Sequence, residues 1–271
     1  MKIMTWNINS VRLRQGLVRK AIDTLAPDIV CLQETKSPDE LFPLAPFREA
    51  GFTHIHINGM KGYNGVAILS RFPFEAYDRW DRVGKSDCRH AAVDIKVGSF
   101  RKPLQIHNLY VPAGGDIPDP AVNDKFAHKL AFVDEMTAFF KGSYARTNPV
   151  IALGDFNIAP LEHDVWSHRQ LLDVVSHTPV EVEKLAAMQD SLKWVDAVRR
   201  FVPEDQKLYS WWSYRNRDWR ASDRGRRLDH IWVTPALKEA VRDYAILKDA
   251  RDWTQTSDHV PVLLDLDLEA A

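Results

Sequence analysis

Cysteine is scarce in this 271-residue sequence: Cys31 and Cys88 are the only two, and no CxxC spacing occurs. That excludes a disulfide scaffold and a thiolate zinc site, and it fits a reducing compartment. Long apolar runs are missing too. No stretch could span a bilayer, and Met1-Lys2-Ile3-Met4-Thr5-Trp6 leads straight into strand-like sequence without the apolar core of a secretory signal. The expectation is a soluble cytoplasmic protein with no membrane partner. Net charge is nearly absent, at −1, so attraction for a polyanion must come from local patches. Linker-like and low-complexity tracts are lacking as well, which predicts one domain over residues 1–271.

What is present is a set of short β-rich runs: residues 2–8, 28–33, 53–57, 65–70, 91–97, 104–111, 150–156, 208–213, 228–234 and 260–268. Helical periodicity lies between some of them. Val18, Ile22 and Leu25 share one helical face, and Pro27 ends that helix. Phe126, Leu130, Val133 and Phe140 mark a second helix, and Leu185, Met188, Leu192 and Val195 a third. Many strands with a few amphipathic helices predict an α/β fold of two packed sheets with helices on their outer faces. The two halves echo each other loosely, each with a strand ending in polar residues, then a helix, then more strands.

Several strand-like runs end in acidic or amide groups: Asn7, Gln33-Glu34, Asp155-Phe156-Asn157, Asp229-His230 and Ser257-Asp258-His259. Each has an ordinary explanation alone. A carboxylate after a strand is usually solvated, Asp after Gly is a turn former, and a single His is usually a satisfied surface residue. Five such coincidences beside β runs are hard to assign to turns. Strand ends are rigid supports for a site. Carboxylates gathered there need neutralising, and hard oxygen donors select Mg²⁺, with Mn²⁺ as the alternative. Such an ion is commonly shared with a substrate phosphate, which points to hydrolysis at phosphorus.

The same residues sit in Thr5-Trp6-Asn7-Ile8-Asn9, Leu32-Gln33-Glu34-Thr35-Lys36, the segment from Tyr63 to Ser70, Asn108-Leu109-Tyr110-Val111-Pro112, the segment from Gly154 to Pro160, Arg227-Leu228-Asp229-His230 and Ser257-Asp258-His259. In this order and spacing the set resembles the exonuclease III family of the endonuclease/exonuclease/phosphatase superfamily. The resemblance covers essentially the whole chain. It implies a four-layer αββα sandwich of two mostly antiparallel sheets, and repair activity on double-stranded DNA with abasic sites or damaged 3′ ends. By motif, Asn7, Glu34, Asp155, Asn157, Asp258 and His259 would surround the metal. Asp155 would orient or deprotonate the attacking water, and Asn157 would hold that water or the phosphate. His259 would contact a phosphate oxygen, Asp229 would orient His259, and Tyr110 would meet the phosphate or the leaving oxygen.

Arg215, Arg217, Arg220, Arg224, Arg226 and Arg227 crowd one segment, interleaved with Trp211, Trp212, Tyr214 and Trp219. Arginines supply phosphate contacts and aromatics can wedge into an opened stack. Trp211, Trp212, Arg215, Arg217 and Arg220 are therefore the expected DNA contacts, with one of the two tryptophans free to serve the core instead. Lys36 and Arg71 join them because they follow strand ends, and Asn64, which with Gly65 also reads as a tight turn before a strand, is put near the DNA by the resemblance. The chain departs from the family pattern at Asp223, where relatives often carry Asn, and at Ala113, where they often carry a polar residue. The loop over residues 161–179 is shorter and holds His163, His168 and His177, whose irregular spacing favours a polar loop over a metal site. A monomer is expected. Two other functions compete. A small-phosphoester phosphatase of the same superfamily would share the metal chemistry but needs no Arg/Trp wedge. A non-catalytic DNA-binding protein would have lost an acid or the histidine, and none is lost here.

Overall fold

The computed structural model describes residues 1–98 and 100–270. Its strands are β1 (Lys2–Asn7), β2 (Ile29–Gln33), β3 (His54–Asn58), β4 (Val66–Ser70), β5 (Ala76–Arg79), β6 (His90–Ile95), β7 (Leu104–Tyr110), β8 (Val150–Asp155), β9 (Val195–Asp196), β10 (Trp211–Trp212), β11 (Gly225–Arg226), β12 (Asp229–Val233), β13 (Val241–Ile246) and β14 (Val262–Leu266). The helices are α1 (Val11–Leu25), α2 (Ala45–Glu49), α3 (Asp124–Ser143), α4 (His168–Leu171), α5 (Pro179–Ser191) and α6 (Trp219–Ser222). None is long and apolar enough to cross a membrane.

Alternation along the strands sorts the apolar residues into layers. Ile3, Cys31, Ile68, Val93, Ile106, Leu153 and Ile231 face a shared core between the sheets. Their neighbours Met4, Val30, Leu32 and Leu69 face outward and are covered by Val18, Ala21 and Ile22 of α1. On the other side Leu109, Val150 and Ala152 are covered by Phe132, Val133 and Met136 of α3 and by Leu185 and Met188 of α5. The result is the expected four-layer αββα sandwich. The sheet orders are β13-β14-β1-β2-β4-β3 and β5-β6-β7-β8-β12-β9, with β10-β11 as a separate ribbon.

Each large sheet contains one parallel pair among otherwise antiparallel neighbours: β1 with β2, joined through α1, and β7 with β8, joined through α3. This is the physical form of the echo between the halves. Local chemistry fixes the crossovers. Ala26 takes the left-handed conformation that ends α1, donating its N–H to Ile22 O, and Pro27 prevents continuation. Asn123 caps α3, while Thr178 and Glu181 form a capping box on α5 with Pro179 in its first turn.

Three sequence expectations fail locally. Val195 is not helical: α5 stops at Ser191, Lys193 adopts φ 55°, and Val195 pairs with Val233. The apolar period continued past the break because Leu192 still packs on the same core. The run over 208–213 contributes only Trp211–Trp212 as strand. Strands β5 and β13 escaped notice because their faces are largely exposed and lack an apolar alternation.

The sheets are tied at one edge by amides. Gln33 Nε2 donates to Asn108 Oδ1 at 2.7 Å and to Thr5 Oγ1 at 2.9 Å. Asn108 Nδ2 donates across the sandwich to Leu32 O and Ala67 O, both at 3.0 Å. These groups are fully buried, so water cannot replace a lost partner. Asn108→Ala is therefore expected to destabilise the fold by about 2–4 kcal/mol, since several buried groups lose partners together. Urea unfolding measures it, and a loss below about 0.5 kcal/mol, the range of ordinary surface substitutions, would contradict the tie.

Candidate active site

The carboxyl ends of both parallel pairs open on the same edge. Asn7 ends β1, Glu34 follows β2, Tyr110 ends β7 and Asp155 ends β8. Strand β12 runs antiparallel to β8, and its first residue, Asp229, pairs with Asp155. His259 arrives on the turn before β14, tethered by Trp6 Nε1 donating to His259 O at 2.9 Å and by Ser257 Oγ donating to Asn7 O at 2.6 Å. The topology thus brings together Asn7, Glu34, Tyr110, Asp155, Asn157, Asp229 and His259.

One amide joins the two sheets' acids. Asn7 Nδ2 donates to Glu34 Oε1 at 2.9 Å and to Asp155 Oδ2 at 2.8 Å. Asn157 returns on Asp155, its backbone N–H donating to Oδ1 at 2.9 Å and its Nδ2 to Oδ2 at 3.1 Å. Asn157 Nδ2 also donates to Val111 O at 2.9 Å. Glu34 Oε2 lies 2.9 Å from Lys36 Nζ, which also donates to Asn9 Oδ1 at 2.6 Å. Five residues of these loops adopt left-handed backbone: Asn9 (φ 47°), Glu34 (φ 50°), Lys36 (φ 50°), Asn64 (φ 40°) and Asn157 (φ 52°). Asn tolerates that region better than Glu or Lys.

His259 lies between two carboxylates. Its Nδ1–H donates to Asp229 Oδ2 at 2.8 Å, and its Nε2 lies 3.6 Å from Asp155 Oδ2. Ser210 Oγ donates to Asp229 Oδ2 at 2.6 Å. Burial opposes the charge on His259, but Asp229 and Asp155 outweigh it and push the imidazolium up to about 10. Burial pushes the Asp155 carboxyl up to about 7, with Asp229 and Glu34 adding to the rise and His259 and Asn7 opposing it. Burial also acts to raise Glu34, yet Lys36, Asn7 and His259 prevail and hold it below the ordinary carboxylate range. The Tyr110 hydroxyl is pushed well up by burial and by Glu34 and Asp155, so it stays protonated.

Asp155, Asp229 and His259 also cluster, their ligand-type atoms within 4.8 Å of one another. They do not make a good cation cage. Both ring nitrogens face carboxylates, and Asp229 and Asp155 favour the charged ring, which competes with metal ligation. Asp258 Oδ2 accepts from Trp211 Nε1 at 2.9 Å, which ties it to the ribbon. The hard-oxygen donor set that fits a divalent ion is centred on Glu34, where Asn7 and Asp155 meet it.

Two clefts flank these groups. One, of about 530 Å³, is lined by Glu34, Lys36, Asn64, Arg89, Tyr110 and Lys125, among others. The second, of about 720 Å³, is walled by Trp166, Trp211, Arg215, Arg224 and Arg226. Arg226 stacks 5.3 Å over Trp211 and Arg224 4.7 Å over Trp166.

Among the expected DNA contacts, Trp212, Arg71 and Arg220 are engaged away from the clefts, whereas Asn64 lines the first cleft. Trp212 is fully buried among Tyr209, Trp219 and Val260, so it is a core residue. Arg71 follows β4, which runs antiparallel to β2, and so it lies at the opposite edge of the sandwich, over Phe52. Arg220 stacks on Trp219 and bonds Asp249 and Asp252, each at 2.6 Å. Asn64 is buried, its amide donating to Asp87 O and accepting from Arg89. Arg217 is exposed. Arg227 is buried against Asp164 and Asp196.

Asp223 also has a local reason: it closes α6 with φ 44° and accepts from the buried Trp212 indole at 3.3 Å. His168 and His177 bond each other at 2.8 Å. Sequence reasoning missed Arg89, Trp166 and Ser210. Arg89 and Trp166 had no strand-end signal, and Ser210 was hidden beside the Trp pair.

The sequence profile described as the endonuclease/exonuclease/phosphatase family matches residues 4–259. Exodeoxyribonuclease III of Haemophilus influenzae is 27% identical over 97% of this chain and 98% of its own. An AP endonuclease from Archaeoglobus fulgidus superposes with TM-score 0.89 at 29% identity, over 98% of this chain and 99% of its own. The 3′ phosphatase NExo from Neisseria, solved bound to a product DNA hairpin, gives TM-score 0.88 at 30% identity over 98% and 99%.

The tryptophan pair separates core from cleft. Trp212→Ala is expected to cost about 3–5 kcal/mol of stability, as for other fully buried aromatics. Trp211→Ala, on a cleft wall, should cost markedly less. Thermal denaturation of both variants decides, and equal losses would contradict the assignment.

Proposed function

The chain belongs to the endonuclease/exonuclease/phosphatase family, and we propose that within it the protein is a Mg²⁺-dependent DNA repair enzyme that cuts 5′ to abasic sites and clears damaged 3′ ends. It is a nuclease-type phosphodiester hydrolase, in keeping with its full-length likeness to exodeoxyribonuclease III and to the AP endonuclease and 3′ phosphatase structures. The observation that carries the finer reading is the Asp155–His259–Asp229 arrangement between two clefts, one of them walled by Trp and Arg. A backbone needs cationic contacts, and a sugar turned out of the stack needs an apolar wall. Every group comes from one chain, so a monomer suffices.

Glu34, with Asn7 and Asp155 beside it, would hold Mg²⁺, and Mn²⁺ would meet the same donors. When bound, the ion supplies a Lewis acid for a phosphate oxygen and offsets the clustered negative charge. Asp155 accepts the proton of the attacking water and is held in place by Asn7 and Asn157. The His259 imidazolium donates to a non-bridging phosphate oxygen as charge builds there, where a preorganised donor is worth most. Asp229 keeps that ring charged and oriented. Tyr110, still protonated, donates to the phosphate or the leaving oxygen. Lys36 shares Glu34, and Trp211, Arg215 and Arg226 line the cleft proposed for the base-less sugar, with Arg217 available on the same segment.

Incubation with an abasic-site duplex, with and without EDTA, tests the reading. Cleavage 5′ to the lesion that EDTA abolishes is expected, and Asp155→Asn should slow single-turnover cleavage by about 10³-fold or more. Cleavage indifferent to EDTA, or release of phosphate from small esters with no incision, would overturn it.

The pH profile follows from the two charges. Asp155 works as a carboxylate, so kcat/KM rises with pH as it deprotonates, near about 7 and lower as Mg²⁺ is added. His259 works as an imidazolium, so activity falls only as pH climbs through about 10. Asp229→Asn removes the anion beside Nδ1 and should move the alkaline limb downward by about a unit or more. An unmoved alkaline limb would rule out His259 as the titrating group.

A further inference from the structure

A charge pair behind the site is used by none of these steps. Lys129 of α3 and Glu181 of α5 are fully buried, and their charged ends form an ion pair. Lys129 Nζ also donates to two backbone carbonyls, Asn157 O at 2.8 Å and Ala113 O at 3.2 Å. Those carbonyls belong to the loops leaving β8 and β7, the loops that carry Asn157 and follow Tyr110. Gly114 (φ 90°) lies directly on the lysine stem: a Cβ there would stand 2.9 Å from Lys129 Cδ.

Glu181 is equally committed. Its carboxylate accepts from Ser176 N at 2.9 Å, Thr178 N at 3.1 Å and Thr178 Oγ1 at 2.6 Å. Ser176 Oγ accepts from Arg226 at 2.7 Å, and Arg226 stacks on Trp211 in the second cleft. One buried pair therefore holds the Asn157 loop, the Tyr110 loop and the cleft wall together.

A buried ion pair contributes little net stability, and packed apolar residues would serve the α3–α5 contact as well or better. The apolar neighbours Phe132, Val133, Leu185 and Met188 already do so. The charge is spent instead on the backbone of the site loops. We propose that Lys129, held by Glu181, is a positioning residue for the hydrolytic reaction, fixing Asn157 and the Tyr110–Gly114 loop so that Asp155 and Tyr110 meet the same phosphate. This rests on the hydrolase reading above.

Lys129→Met keeps the length of the side chain and removes the charge and donors. Steady-state cleavage of an abasic duplex is measured for it beside the wild type, each well below its own melting temperature. A misplacement of about 1 Å is enough to lower kcat by about 10–100-fold, with KM changed by no more than about threefold. Lys129→Arg, which restores charge and several donors, should recover most of the lost kcat. Glu181→Gln, which keeps an acceptor for Ser176 and Thr178, should lower kcat in the same direction by less, and it answers by the same criterion if Lys129→Met does not fold. A kcat within about twofold of wild type, or a rise in KM in place of the fall in kcat, overturns the proposal. A wild type inert on the duplex overturns the hydrolase reading and this one together. An active wild type beside an unimpaired Lys129→Met overturns the positioning role alone.

Discussion

Glu34 and Asp155 belong to different sheets, yet both accept a hydrogen bond from the same nitrogen, Asn7 Nδ2. Two carboxylates meet there, Asp155 buried and Glu34 on the wall of the first cleft, and their like charges repel. The sandwich has to hold them together against that repulsion. It does so by matching the edges of its sheets: Asn108 fastens β7 to the backbones of β2 and β4, and Gln33 closes the link. Chain direction then matters as much as distance. Only the parallel pairs deliver two carboxyl ends side by side, and their crossover helices cover the outer faces, leaving the edge open.

The balance of charge follows from the same crowding. Lys36 stands against Glu34 and the His259 ring stands between Asp155 and Asp229. The two acids consequently part ways. Glu34 is held ionised by its neighbours, whereas Asp155 is lifted to a range where it can take up and release a proton near neutrality. Divergent environments for like groups are what assign different tasks to chemically identical side chains.

Much of this was legible in the sequence, because polar residues interrupting apolar β runs mark strand ends, and strand ends are where the fold gathers its chemistry. Asn7, Glu34, Asp155, Asp229 and His259 are read by that rule, and Tyr110, which ends β7, by the motif resemblance alone. The rule says nothing about which edge a strand end faces. Arg71 also follows a strand, but β4 runs antiparallel to β2 and delivers it to the wrong side. Composition likewise could not divide the Trp and Arg run. Trp211 and Trp212 point to opposite sides of a two-residue strand, one toward the cleft and one into the core, and alternation alone does not say which. Arg220 and Arg227 are taken up by Asp249, Asp252, Asp164 and Asp196, acids distant in sequence. Lys129 and Glu181 left no signal because they sit within ordinary amphipathic helices.

The left-handed backbone around the site has a consequence for anyone selecting hardier versions of this protein. Asn64 and Asn157 occupy that region with little penalty, but Glu34 and Lys36 are held there against their conformational preference. Directed evolution scored only on heat tolerance would find Gly or Asn at position 36 an easy improvement, since relief of such strain is a common route to stability. The ammonium that steadies Glu34 would go with it. A screen for this scaffold therefore has to score turnover in every round, or it will enrich robust proteins with an ungoverned acid at the cleft.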